Sequence, residues 1–370
     1  MKNTNASARK FRNRVTQHTM LTLLDHIPDG LLHCEATDLH RILPGPTLIQ
    51  LNGRRPQPLF VSVLLHGNET SGLTAIQSIL EKHHQQELPR ALSIFFGNVS
   101  AAREGKRHLD DQPDYNRVWP CAGFDDDCEG NTAEHQMMRQ IVGIMKEQNV
   151  FASIDVHNNT GLNPHYGCIN KLDSRFFHLA TQFSRTVVHF VRPKGVQSMA
   201  FSDFCPAVTV ECGKADQPHG AAHAAEFINT CLHLSELPTH SIAAHDMDLF
   251  HTVVTVSVPD HVSINFNGND IHDESSADIR FLPDLDHLNF HELATGIPLA
   301  YLRPDLHDIP LSVIDEKGDD VKDRYFQIHA GELRTARDVM PSMFTLDTDV
   351  IRQDCLGYLM ERIDWQSSQT

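Results

Sequence analysis

Residues 59–65 read Leu59–Phe60–Val61–Ser62–Val63–Leu64–Leu65 and run directly into His66–Gly67–Asn68–Glu69. A nearly unbroken apolar run of this length marks a strand covered on both faces. Three more runs of the same kind follow, ALSIFF at 91–96, FASIDV at 151–156 and AVTVEC at 207–212. The segments between them carry helical periodicity. Leu73, Ile76, Ile79 and Leu80 fall on one side of the first. Residues 132–148 form a second, with Asn131 and Glu134 as a capping box, and 175–188 and 219–235 read as two more. Strands alternating with helices predict a largely parallel sheet sandwiched by helices.

The pattern thins on either side. Residues 8–24 read as a short helix through Phe11, Val15, Met20, Leu21 and Leu24, ended by Pro28 and Gly30. Residues 31–52 read as short strands around Pro44–Gly45–Pro46. After Leu237–Pro238 the α/β alternation stops. TVVTVSV at 252–258, VSINF at 262–266 and IPLAYL at 297–302 are separated by Gly, Pro, Asn and Asp. A chain of 370 residues fits two domains. The expected division is 1–238, a catalytic α/β domain with an N-terminal extension, and 239–370, a smaller and mainly β domain.

Composition narrows the function. Lys plus Arg is 31 and Asp plus Glu is 48, a net charge of −17, which argues against nucleic acid or an anionic membrane as partner. The longest apolar runs are strand-sized, so no transmembrane helix is expected. The basic residues near the start, Lys2 to Arg14, are followed by no apolar h-region, which reads as a cytoplasmic protein. The 8 cysteines form no CxxC pair and are expected as reduced, buried thiols. The acidic stretch Asp125–Asp126–Asp127 with Glu129 reads as a solvated loop.

In open α/β sheets the working groups sit just beyond the carboxyl ends of the strands. The first run ends in His66 and Glu69, whose imidazole nitrogen and carboxylate oxygen can share one Zn²⁺. The spacing alone decides nothing, because HxxE recurs at His84–Glu87, His223–Glu226, His233–Glu236 and His329–Glu332. Only the first follows a buried strand directly. The run at 151–156 ends in His157, which completes a His₂Glu set with an open fourth position, the catalytic rather than the structural arrangement. Asp155 is expected on the opposite face and is not counted as a ligand. Glu211 lies inside the fourth run, where an unpartnered carboxylate is costly. It reads either as a strand-end residue reaching solvent or an Arg, or as the general base on an attacking water. Arg103, Lys106 and Arg107, leading to Asn116–Arg117, place positive charge after the second run. Guanidinium forks suit a carboxylate or a developing oxyanion, or simply line a loop surface.

Taken in order, His66–Gly67–Asn68–Glu69–Thr70, Gly97–Asn98, Gly105–Lys106–Arg107, Asn116–Arg117, Asp155–Val156–His157 and Glu211–Cys212–Gly213–Lys214–Ala215 resemble the succinylglutamate desuccinylase/aspartoacylase family, within the zinc carboxypeptidase superfamily. The resemblance covers about 59–235, and Gly213–Lys214–Ala215 is nearer to the desuccinylase branch. It implies a mixed central sheet flanked by helices, with a C-terminal β domain narrowing the entrance. It implies one zinc per chain on His66, Glu69 and His157. Glu211 would be the general base and then proton donor, and Arg107 would stabilise the oxyanion. Asn116 and Arg117 would hold the α-carboxylate of a small acidic N-acyl amino acid undergoing deacylation. A homo-oligomer is compatible with it. The alternatives are a carboxypeptidase-like peptidase acting on small peptides, or a non-catalytic zinc- or ligand-binding relative. Two departures stand out. About two extra residues separate Arg107 from Asn116, and Met199–Phe204 lacks the Arg expected to meet an acyl carboxylate, the nearest cations being Arg192 and Lys194. An uncharged acyl group is therefore the favoured expectation.

Overall fold

The computed structural model describes residues 20–121, 130–268 and 277–365. Its centre is a 12-stranded mixed sheet. From edge to edge the strands are Thr22–Leu24, Thr47–Leu51, Leu88–Phe96, Gly53–Val63, Ala152–His157, Ala207–Glu211, Tyr166–Ile169, Thr186–His189, Asp248–Ser257, Gly357–Arg362 and Met340–Ser342. Ser312–Asp315 also pairs with Asp248–Ser257. The four apolar runs lie together in the middle, parallel to one another. Thr47–Leu51 and Tyr166–Ile169 flank them antiparallel, which makes the sheet mixed.

Helices cover both faces. Ser71–Lys82 buries Leu73, Ile76, Ile79 and Leu80 as its periodicity requires. Its contact with the sheet is close at Gly72, where a Cβ would lie 2.8 Å from Val63 Cγ1. Ala133–Glu147 is capped by Thr132, whose side chain accepts from His135 N, rather than by Asn131. Pro218–His233 completes the expected set. The stretch expected as one helix at 175–188 instead divides into the helix Ser174–Thr181 and the strand Thr186–His189. The β-branched Thr186, Val187 and Val188 favour the strand. Residues 31–52 depart too. Leu31–His33 and Ala36–Arg41 are 3₁₀ turns, followed by one strand, Thr47–Leu51. Of the expected helix at 8–24, residues 8–19 lie outside the described residues, and Thr22–Leu24 is a strand. The acidic stretch 125–129 lies outside them as well.

Beyond residue 238 the chain builds a separate five-stranded sheet, ordered Ile264–Asn265, Ile279–Phe281, Pro298–Leu302, Glu332–Thr335 and Phe326–His329. It also returns to the main sheet. Asp248–Ser257 pairs in parallel with Thr186–His189, and Gly357–Arg362 pairs with Asp248–Ser257. The fold class is that expected, an α/β mixed sheet with a smaller C-terminal sheet. The main sheet nevertheless continues across residue 238. Among the described residues no helix is long and apolar enough to cross a membrane. Cys34, Cys168, Cys205, Cys212, Cys231 and Cys355 are free thiols. Cys121 is disulfide-bonded, against the expectation that all the thiols are reduced.

A candidate metal centre and its pocket

The carboxyl ends of Gly53–Val63, Ala152–His157 and Ala207–Glu211 open into one cavity of about 440 Å³, the size of a small-molecule site. The turn after Leu65 puts His66 and Glu69 at its floor. Gly67 makes that turn feasible, because a Cβ there would lie 2.1 Å from Ala102 N. Gly67 N also donates to Arg107 O at 3.0 Å, tying the arginine's loop to the same turn.

His66, Glu69 and His157 are all buried, and a ligand atom of each lies within 4.8 Å of the others. His66 Nδ1 is 2.7 Å from Glu69 Oε1, and His157 Nδ1 is 2.7 Å from Glu69 Oε2. The opposite nitrogens face carboxylates, His66 Nε2 at 3.0 Å from Asp114 Oδ1 and His157 Nε2 at 2.8 Å from Asp155 Oδ2. Asp155 in turn accepts from Ser62 Oγ at 2.7 Å. With each Nε2–H donated outward, both Nδ1 lone pairs point at the oxygens of Glu69. A proton on each Nδ1 or a bound cation relieves that opposition of acceptors; the donor set fits a metal ion, and His₂-carboxylate suits zinc. Burial opposes charge on His157, yet Asp155 and Glu69 hold its imidazole well above the usual range. The cluster therefore favours positive charge at its centre.

The expectation that Asp155 faces away from His157 is overturned. Residues two apart on a strand share a face, and the strand is regular here. Asp155 is not placed as a fourth ligand but as the partner that orients His157.

Glu211 is the register partner of His157 on the adjacent strand. It is buried and does not reach solvent or an arginine. Burial pushes its carboxyl up to about 7. Among the described residues its Oε2 and both ends of the neighbouring Asn159 amide lack a partner in good hydrogen-bond geometry, although Asn159 lies near enough to lower the Glu211 pKa somewhat. Orphaned buried polar atoms facing a cavity mark a place for a ligand or water.

Arg107 and Arg117 also enter the pocket. Arg107 Nη2 donates to Asp114 Oδ2 and to Asp354 Oδ2, each at 3.0 Å. Arg117 Nη2 donates to Asp354 Oδ1 at 2.6 Å. The Asn116 amide is engaged internally. Its Oδ1 accepts from Gln197 N at 3.0 Å, and its Nδ2 lies 3.2 Å from His157 Nε2. The structure thus brings together all seven residues singled out from the sequence. It adds Asp114, Asp155, Asn159 and Asp354. Asp155 was legible from its position two before His157. Asp354 carries no local signal, since it lies 237 residues from Arg117.

Tyr166 and Cys168, on the strand beyond Glu211, together with Thr209, Val188 and Phe190 line another part of the cavity, while Val196 lines it beside Asn116 and Arg117. Phe201 is not part of it. It is fully buried and stacks on Phe60 with centroids 4.5 Å apart. Arg192 reaches the cavity and Lys194 does not line it. The Nε of Arg192 donates to Glu316 O at 2.9 Å.

Residues 57–237 match the family described as Succinylglutamate desuccinylase/Aspartoacylase catalytic domain. The match falls on the stretch whose motifs carry the resemblance read from the sequence. Solved structures share the fold. Succinylglutamate desuccinylase from Chromobacterium violaceum aligns at TM-score 0.52 and 16% identity, over 84% of this chain and 87% of that one. A succinylglutamate desuccinylase/aspartoacylase from Rhodobacter sphaeroides aligns at 0.54 and 13%, over 86% and 89%. Murine aminoacylase 3 aligns at 0.50 and 16%, over 84% and 96%. No curated protein sequence matches the chain.

Proposed function

From the match of residues 57–237 to the succinylglutamate desuccinylase/aspartoacylase catalytic domain, we propose that this protein is a zinc-dependent deacylase hydrolysing the amide bond of a small N-acyl amino acid. The observation that carries the reading is the juxtaposition of the His66–Glu69–His157 cluster with Glu211, a buried carboxylate with an orphaned oxygen. A binding module would need the ligands but not the base.

His66 Nδ1, a carboxylate oxygen of Glu69 and His157 Nδ1 would hold the ion, with Asp114 and Asp155 fixing the two rings. Zinc in such a site acidifies water to near neutrality and polarises a carbonyl. Glu211 accepts the proton of the attacking water, a task suited to a carboxyl raised toward neutrality by burial. Arg107 keeps Nη2 on Asp114 and Asp354, and its Nη1, 3.9 Å from Glu69 Oε1, would turn to the developing oxyanion. Glu211 then returns the proton to the departing amine. Asn116 and Arg117 lie on the leaving-group side. Tyr166, Cys168 and Thr209 continue the sheet face from Glu211, because Tyr166 pairs with Glu211 and Cys168 with Thr209. They form the acyl wall, which suits an uncharged acyl group. In this reading the division at 238/239 is one of role. The first part carries the ligands and base, and the second closes the pocket through residues such as Met343, Asp354 and Tyr358.

The test has two parts. Elemental analysis should find one zinc per chain in the wild type and most of it gone in His157→Ala. Glu211→Gln should keep the zinc and lose at least about 10²-fold in kcat, the scale of general base catalysis. Full zinc retention by His157→Ala rejects the ligand set. Normal turnover by Glu211→Gln makes that residue structural.

A further inference from the structure

We propose that Asp354 is a specificity-determining residue, a built-in carboxylate seated where a substrate carboxylate would bind, so that the deacylase takes N-acyl amino-acid derivatives whose carboxyl is masked as a neutral carboxamide. The proposal rests on the deacylase reading and refines its leaving-group side.

The geometry is that of a bound acid. One oxygen of Asp354 meets Arg107 Nη2 at 3.0 Å and the other meets Arg117 Nη2 at 2.6 Å. A bridging carboxylate between two guanidiniums is how a ligand acid would be held. Burial works against the charge of Asp354, but Arg117 and then Arg107 hold its carboxyl below the usual range, so it is ionised.

Asp354 is also fixed in place. Its own N donates to Val350 O at 2.9 Å, and two residues on Leu356 N donates to Val256 O of the main sheet at 2.9 Å. Ile351, Cys355 and Leu356 around it are buried. The backbone that carries the carboxylate is thus tied to the helix before it and to the main sheet after it, and the two guanidiniums hold its oxygens.

Charge around the pocket points the same way. Asp114 and Asp354 pair with Arg107, Asp354 pairs with Arg117, and Glu69 Oε1 lies 3.9 Å from Arg107 Nη1. An incoming carboxylate would find both guanidiniums already neutralised and a like charge beside it. The N–H groups of Arg117 not used by Asp354 still suit a neutral carbonyl oxygen.

The experiment pairs acids with amides. Zinc-loaded wild type is assayed on N-acetyl amino acids and on the corresponding N-acetyl amino-acid amides. The same proteins are titrated with sodium acetate, followed by NMR. The wild type should prefer the amides, and Asp354→Asn should shift the ratio of kcat/KM toward the acids by about 10- to 100-fold, the worth of a hydrogen bond to a charged group. Asp354→Asn should also bind acetate at least about tenfold more tightly than wild type. Acetate on the zinc is common to both proteins and cancels. Asp354→Ser serves if Asp354→Asn does not fold, and the wild-type acid-to-amide ratio needs no variant. A wild-type preference for the acids, or an acetate affinity unmoved by removing the Asp354 charge, overturns the proposal. Absence of all deacylation sinks the deacylase reading instead, and the acetate titration still decides the role of Asp354.

Discussion

Replacing Asp155 by asparagine removes a charge while keeping a shape. Asp155 is fully buried, with Oδ2 at 2.8 Å from His157 Nε2 and Oδ1 accepting from Ser62 Oγ at 2.7 Å. Asparagine can still accept from His157 through its Oδ1, and its amide can donate to the Ser62 hydroxyl, so the packing need not change. What is lost is the negative charge that fixes the tautomer of His157 and raises the basicity of Nδ1, the atom facing Glu69 at 2.7 Å. Loss of such a partner typically weakens metal binding 10- to 100-fold, about 1.4–2.7 kcal/mol. Asp155→Asn should therefore bind zinc 10- to 100-fold more weakly than wild type in a competition titration against a chromophoric chelator near neutral pH. Its circular dichroism should match that of wild type. A zinc affinity within about twofold of wild type would refute the reasoning, since His157 would then need no charged partner to serve as a ligand.

Other expectations follow from the cavity wall and from the histidines. With Tyr166, Cys168, Val188 and Phe190 on the acyl side, N-acetyl substrates should outperform their N-succinyl counterparts, because burying an unpaired charge costs several kcal/mol. A succinyl preference above about tenfold that disappears in Arg192→Ala would show instead that Arg192 meets the second carboxylate. His189 sits with Nδ1 at 3.0 Å from His251 Nδ1. Burial, and then His251, lowers its pKa from 6.5 to about 4. A histidine depressed in the folded state is neutral there while the unfolded chain takes up the proton. Stability is thus full above about pH 6.5 and falls as the pH drops toward about 4, by about 1–3 kcal/mol. Urea denaturation at pH 7 and pH 5 should show a smaller loss for His189→Gln than for wild type, and equal losses would remove His189 from the account.

The sheet and the clustering of the candidate site residues were legible because local pattern encodes them. Each of the four apolar runs is a strand buried on both faces. His66, Glu69, His157 and Glu211 lie at or just beyond the ends of three of them. The partners were less legible, for different reasons. Asp155 was readable from strand alternation alone, and taking it to face away was a misapplied period. Asp114 sits in a loop whose path sequence periodicity does not determine. The helix expected through 188 missed Thr186–His189 because its apolar residues suit either period over so short a span. The boundary at 238 follows a real loss of α/β alternation, yet a parallel strand can rejoin a sheet from any distance in sequence, as Asp248–Ser257 does beside Thr186–His189.

That return of the chain also bears on the chemistry. Asp354 lies between the helix Thr348–Gln353 and the strand Gly357–Arg362, and that strand is hydrogen-bonded to Asp248–Ser257. The carboxylate thus sits on a short connection whose two ends are held by the helix and by sheet pairing. The reach to the metal side is equally short, since Arg107 Nη2 also holds Asp114, and Asp114 faces His66 Nε2. A chain of charged contacts thus runs from Asp354 to His66, a candidate metal ligand. Removing either guanidinium would leave Asp354 or Asp114 buried with less compensation, and breaking buried pairs is costly to the fold. Removing the Asp354 charge leaves Arg107 its pair with Asp114, while Arg117 keeps its bond to Asn116 O and loses its ion pair. The cost of the Asp354 variants therefore falls on Arg117, the guanidinium whose freed donors would meet a substrate carboxylate.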